Sequence, residues 1–398
     1  NSDFFALTKR LHNRLHGALG DGGPLGAAEH ELYEATLRPQ VAALLSRIAP
    51  GDVVILHDPQ VAGLVNAVAA HGAHPIWRCH IGTDGSNEHT DEGWEFLRRY
   101  ASSAQALVFS RRSYAPPWAS PEDLTVIPPA LDPLSAKNAP MTAAAAQTIL
   151  GAVGILDADP TDAAYVRDDG TTGKISGKAI IVGDEVRPGP DTPLVVQVSR
   201  WDALKDMRGV LDGFVRYVAA GQPTAHLALV GPSTVGVTDD PEGQQVLDEC
   251  TTRWHALPSG MRRRVSLVSL PMEDFQANAA MVNAVQRHAF LVVQKSLVEG
   301  FGLTVAEAMW KARPMVATRV GGISDQVVDG VTGTLLADPA DLAAFGAAVT
   351  SLLQHPERAH EWGARGAERV QEVFLPDRQL QQWIDVLIAA AQPVTSIR

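Results

Sequence analysis

Short apolar runs alternate with segments whose apolar residues recur every third or fourth position, and this alternation occupies both halves of the chain. Asp52-Val53-Val54-Ile55-Leu56-His57 has the length and composition of a buried strand. Residues 60–71 follow with Val61, Leu64, Val65 and Val68 at helical spacing. Residues 74–81 read as strand, 91–101 as helix, and Ala106-Leu107-Val108-Phe109 as strand again. In the second half Leu194-Val195-Val196-Gln197-Val198 precedes a helical stripe of Leu211, Phe214, Val215 and Val218. Further strands are expected at 227–230, 265–268, 290–293 and 314–317. Runs this continuously apolar fit strands covered on both faces. Strand–helix alternation predicts parallel sheets flanked by helices. The fold class is therefore α/β, with two doubly wound Rossmann-like domains expected at 1–150 and 194–375.

The stretch between them differs. Residues 143–150 are alanine-rich and helical in pattern, whereas 157–191 are polar and glycine-rich. Residues 151–193 are read as a linker carrying a surface insertion, either a small hairpin with Lys178-Ala179-Ile180-Ile181-Val182 as one strand or an irregular loop. Residues 377–390 present Leu380, Trp383, Ile384 and Leu387 on one helical face, so the 376–398 segment is expected to dock, with the first domain as candidate receiver.

Composition narrows the function classes. The chain has 398 residues, 33 basic and 45 acidic, for a net charge of −12. That balance argues against a nucleic-acid or anionic-membrane surface, while allowing a small basic pocket. No run approaches the roughly 20 apolar residues that span a bilayer. Asn1-Ser2-Asp3-Phe4-Phe5 lacks a signal-peptide pattern. The reading is of a soluble, cytoplasmic protein whose natural beginning, absent an initiating Met, lies before Asn1. Cys79 and Cys250 could formally pair but read more simply as reduced thiols.

Two segments carry candidate chemistry. In Ser296-Leu297-Val298-Glu299-Gly300-Phe301-Gly302-Leu303-Thr304-Val305-Ala306-Glu307-Ala308-Met309 a strand end gives way to a glycine-containing loop and then a helix. Glycines admit close backbone approach, and a helix start offers N–H groups to an anion. Glu299 and Glu307 bracket that start, and carboxylates accept hydrogen bonds from sugar hydroxyls. The plain alternative is a tight turn with Glu299 as a helix-start charge. Ser199-Arg200-Trp201-Asp202-Ala203-Leu204-Lys205-Asp206 also follows a strand directly. Arg200 and Lys205 there suit a diphosphate, although an isolated pair of cations is usually solvated.

Arg200 and Lys205 together with Glu299-Gly300-Phe301-Gly302-Leu303 and Glu307 resemble the signature of retaining glycosyltransferase family four. His57-Asp58-Pro59-Gln60, Trp77-Arg78-Cys79-His80-Ile81, Pro128-Pro129-Ala130-Leu131-Asp132-Pro133-Leu134-Ser135, Lys137-Asn138, Asp239-Asp240-Pro241-Glu242-Gly243 and Glu307-Ala308-Met309-Trp310-Lys311 are similar to its trehalose synthase and trehalose phosphorylase branch. The resemblance implies a GT-B architecture, with the two domains facing each other across a cleft. It implies that Arg200 and Lys205 hold the donor phosphates and that Glu299 faces the donor sugar with the Gly300, Phe301, Gly302 and Leu303 backbone. It further implies that Glu307 binds ribose, that His80 approaches the sugar, and that His57 and Arg78 contact the acceptor. The implied donor is ADP-, UDP- or GDP-glucose, with no further cofactor and no metal. The implied partners are small-molecule sugars, not nucleic acid or membrane, and a homodimer is allowed.

The implied reaction joins activated glucose to free glucose, giving α,α-trehalose with retention. Two alternatives are a phosphorylase using glucose 1-phosphate and a non-catalytic sugar- or nucleotide-binding protein. A nicotinamide oxidoreductase is set aside, because no Gly-x-Gly-x-x-Gly follows an early strand. Asp157-Ala158-Asp159 and Asp239-Asp240 read as solvated turn residues rather than metal ligands. The family opens with a strand and a glycine-rich loop beside the donor diphosphate. Here Phe4-Phe5-Ala6-Leu7-Thr8-Lys9-Arg10-Leu11-His12-Asn13 resembles a later part of the first domain, so that strand and loop are expected to be missing.

Overall fold

The computed structural model describes residues 1–183, 186–222, 224–235 and 241–391. They form two compact units, one of residues 1–130 with 376–391, the other of the described residues within 131–375.

The first unit is built on a four-stranded parallel sheet in the order β1 (Val53–His57), β2 (His74–Cys79), β3 (Ala106–Phe109), β4 (Leu124–Val126). Strand alternation divides its apolar residues. Trp77 and Phe109 meet Trp94 from the helix Glu88–Ala101 edge to face, while Ile76 and Val108 pack with Val386 and Ala390 of the helix Pro376–Ala391. The helical spacing over 60–71 is realised in pieces, Asp58–Val61, a 3-10 turn Ala62–Leu64 and Val65–Ala70. The interruption lies at Gly63, whose N–H donates to the buried Tyr33 hydroxyl at 3.0 Å and whose position leaves no room for a Cβ against Tyr33 and Leu37.

The second unit carries a seven-stranded sheet. In chain order its strands follow a separate hairpin of β5 (Ala164–Val166) and β6 (Thr172–Lys174). They are β7 (Ile180–Val182), β8 (Leu194–Val198), β9 (His226–Pro232), β10 (Val265–Leu270), β11 (Leu291–Gln294), β12 (Met315–Thr318) and β13 (Gly333–Leu336). The spatial order is β13-β12-β11-β8-β9-β10-β7, parallel except for β7, which runs antiparallel to β10. From β8 the chain builds outward through β9 and β10, then crosses back to lay β11 on the other side. The strand order therefore reverses between β8 and β11. In open α/β sheets that reversal opens a crevice beyond the strand carboxyl ends, where ligands bind.

Two readings of the middle segment change. The strand at 178–182 is present as β7, but it closes the large sheet instead of forming a hairpin. The hairpin is β5–β6, and it is docked rather than a loose surface insertion. Buried Tyr165 reaches Asp274 at 3.4 Å, and the Asp168 N–H donates to Gln276 at 3.0 Å. The helix Ala143–Val153 lies in the second unit rather than the first, because Ala146, Ile149, Leu150 and Val153 join the core beside Ala280, Met281 and Ala284.

Candidate functional site

Arg200 apart, the predicted residues fall into one constellation in each unit. In the second unit the loops after β8 and β11 meet at the reversal point. Lys205 closes a 3-10 turn, Ala203–Lys205, and its Nζ lies 2.8 and 2.9 Å from the two oxygens of Glu299. Both side chains are largely enclosed, Lys205 at 15% and Glu299 at 10% exposure, and Ser296 Oγ donates to Glu299 at 3.1 Å. Arg200 does not join them. Its side chain is 67% exposed and pairs with Asp202 at 2.8 Å.

Beyond Glu299 the loop turns sharply into the helix Leu303–Trp310 through Gly302, whose φ of 79° favours glycine. Its carbonyls face inward: Gly300 O accepts from the Gly322 N–H at 2.9 Å, and Phe301 O accepts from Gln326 Nε2. Gly321 packs so closely on the Glu299 carbonyl that a Cβ would displace it. Glu307 lies one turn inside this helix. Its Oε1 pairs with Lys137 Nζ at 2.9 Å, while Oε2 is buried and has no hydrogen-bond partner. Lys311, behind it, donates to Asn138 Oδ1, Gln286 Oε1 and the Glu307 carbonyl at 2.9, 2.8 and 3.0 Å. Burial pushes the Lys311 pKa down to about 7, and those three acceptors oppose the loss of its proton.

In the first unit His57, Arg78 and His80 come together at the carboxyl ends of β1 and β2. The rings of His57 and His80 stack at 5.4 Å. His80 Nδ1 lies 3.1 Å from both oxygens of Asp58, and Asp58 Oδ1 also accepts the His80 backbone N–H at 2.7 Å. Arg78 Nε donates to His80 Nε2 at 3.2 Å. An arginine can only donate and an ionised aspartate can only accept, so neutral His80 carries its proton on Nδ1. Burial works to raise Asp58, but the His80 hydrogen bonds outweigh it and hold the carboxyl below its usual range. Burial, then the neighbouring His80, lower His57. Burial lowers Arg78 to about 10, and its Nη1 is buried without a partner.

Asp58, Asp206 and Lys295 belong to these constellations, yet none was singled out from sequence. The signal for Asp58 lay in His57-Asp58-Pro59-Gln60, but its left-handed backbone, φ 64°, is a conformation seldom suspected without a glycine. A cavity of about 1110 Å³ elsewhere in the first unit contains none of the candidate residues. Arg14 at its wall already contacts His89, Glu92 and the Gly23 carbonyl. Asp159 accepts from Thr161 within a turn, while Asp239-Asp240 lie outside the described residues. Both cysteines are free and buried.

Residues 1–116 match the family model for the trehalose synthase N-terminal domain, and residues 274–369 that for glycosyl transferases group 1. A trehalose synthase from Rubrobacter xylanophilus is 36% identical over 381 residues, 95% of this chain and 78% of that protein. This chain belongs to the trehalose synthase family. Trehalose phosphorylase from Pleurotus pulmonarius is a more distant relative, 24% identical over 83% of this chain and 44% of its own length. A UDP-forming α,α-trehalose-phosphate synthase from Burkholderia xenovorans has the same fold at a TM-score of 0.70 and 15% identity, over 98% of this chain and 85% of its own. The chain's fold is thus that of the GT-B glycosyltransferases, α/β with parallel sheets. No described helix is long and apolar enough to cross a membrane.

Proposed function

We propose that this protein is a retaining hexosyltransferase making α,α-trehalose reversibly from a nucleoside-diphosphate glucose and free glucose. The observation that supports it most is the Lys205–Glu299 pair at the point where the strand order reverses. In the donor complex Lys205 turns to the diphosphate, joined by Arg200 swinging from its exposed position. Glu299 then accepts from hydroxyls of the glucosyl ring, beside the Gly300 to Leu303 backbone. Glu307, with one buried oxygen unsatisfied, accepts from the ribose hydroxyls.

His80, His57 and Arg78 serve the sugars. In the reaction the anomeric carbon–oxygen bond to phosphate breaks and a bond to the anomeric hydroxyl of free glucose forms. The acceptor proton passes to the departing phosphate on the same face. The protein contributes orientation and charge stabilisation, and Lys205 and Arg200 offset the charge gathering on the diphosphate. Two free, buried thiols fit a reducing cytoplasm.

Incubation with glucose and each of ADP-, UDP- and GDP-glucose tests the reading. One donor should give a non-reducing disaccharide whose NMR spectrum has a single α-anomeric signal, because the one linkage joins two equivalent anomeric carbons. A folded protein that turns over none of them would contradict it. Glu307→Gln should raise the KM for that donor about tenfold, the scale of one hydrogen bond to a charged group, and leave the KM for glucose unchanged. A phosphorylase acting on glucose 1-phosphate would show no such change, having no ribose to bind.

A further inference from the structure

The two donor loops are braced twice, and only one brace involves a group that meets substrate in the reading above. Lys205, after β8, pairs with Glu299, after β11. In the opposite direction Lys295, the first residue after β11, pairs with Asp206, the residue after Lys205. The loops thus exchange lysine–carboxylate pairs. Lys295 is fully buried and its side chain is 1% exposed, so its charge is held by Asp206 away from solvent. Asp206 sits in the left-handed region at φ 50° and caps the helix Met207–Gly213, its Oδ1 accepting from the Gly209 N–H at 3.0 Å. One residue therefore ends the Lys205 turn with its backbone N–H, and with its carboxylate starts the next helix and grips the neighbouring strand end.

Neutral contacts run along the same seam. Buried Gln197 donates to the Lys205 carbonyl at 2.7 Å and accepts from the Lys295 N–H at 3.3 Å, and the Leu297 N–H donates to Leu204 O at 2.7 Å. When Lys205 turns to a donor phosphate, its link to Glu299 is lost and that brace opens. The Lys295–Asp206 pair, whose lysine is fully enclosed, stays closed. Without it the Lys205 turn and the Glu299 loop would lose their charged tie when both must face the same donor.

We propose that Lys295 and Asp206 are positioning residues for glycosyl transfer, their ion pair keeping the phosphate-binding lysine and the sugar-binding glutamate in register while the donor is bound. The inference rests on the donor site described under the proposed function.

Lys295→Met and Asp206→Asn test it. Asn tolerates the left-handed backbone and can still cap Gly209, so Asp206→Asn removes the charge and spares the cap. With the nucleotide sugar that the wild type uses, each variant should lose at least about tenfold in kcat/KM for donor, the scale of a displacement well under 1 Å to 1 Å. The KM for glucose should stay within about twofold, because the acceptor groups lie in the other unit. Two results would overturn the proposal. One is donor kcat/KM within about twofold of wild type in both folded variants. The other is a fall in kcat that follows a lowered melting temperature with both KM values unchanged, which would make the pair a determinant of folding alone. An inactive wild type would instead remove the donor-site reading and this inference with it.

Discussion

Lys205→Ala should lower kcat/KM for trehalose formation by about 10³-fold, the cost of deleting a preorganised charge opposite a developing one. Lys205 is anchored by its own backbone, whose carbonyl accepts from buried Gln197 at 2.7 Å, so its ammonium has a short reach and a fixed origin. The other two cations of the loops after β8 and β11, Lys295 and Arg200, are both engaged elsewhere. Lys295 Nζ is committed to Asp206, and Arg200 is 67% exposed and paired with Asp202. Arg200→Ala should therefore cost less, because ordering that long side chain consumes part of what it contributes. Removing Lys205 leaves Glu299 with Ser296 Oγ at 3.1 Å as a partner, so the melting temperature should move by only a few degrees, about what 1 kcal/mol produces in a domain of this size. Steady-state kinetics with a melting curve checks both statements. Unchanged kinetics in the Lys205 and Arg200 variants would remove the phosphate assignment.

Asp58→Asn should lower kcat by about 10², through the tautomer of His80 rather than through lost packing. Asp58 accepts the His80 backbone N–H at 2.7 Å and faces Nδ1 with both oxygens at 3.1 Å, while Arg78 Nε donates to Nε2 at 3.2 Å. An amide in place of the carboxylate keeps the backbone bond but turns an N–H toward Nδ1. The imidazole would then shift its proton to Nε2, where it meets the Arg78 donor. His80 would tilt or lose one contact, and a ring meant to meet the sugar would be misplaced. Nitrogen NMR of His80 in the two proteins reports the tautomer directly. A kcat loss without a tautomer change would assign Asp58 to direct substrate contact instead. The carboxyl sits below its usual 3.8. Its stabilising contribution is therefore complete above the unfolded value and fades only as pH falls through the lower folded one, leaving neutral-pH activity insensitive to its titration.

The strands were legible wherever burial on both faces makes a run continuously apolar. All five residues of β8 are buried, and the sequence alone marks them as strand. The hairpin was not legible, because β5 and β6 have three residues each and only Tyr165 and Gly173 are turned inward. The candidate loops could be placed after β8 and β11, but their adjacency depends on which strands pair, a non-local fact that no local pattern carries. The same holds for Lys137, which meets Glu307 from a distant part of the chain, and for Lys295, which is fully buried against a loop that follows a different strand. Asp58 and Asp206 stayed hidden for a backbone reason: both occupy left-handed positions that sequence reasoning reserves for glycine or asparagine.

The most direct test of the account is glucose release from trehalose with ADP, UDP, GDP and inorganic phosphate each offered alone as glucosyl acceptor. The account predicts release with at least one nucleoside diphosphate, formation of the matching nucleotide glucose, and none with phosphate. Release that requires phosphate and ignores every nucleotide would contradict it and make the protein a phosphorylase.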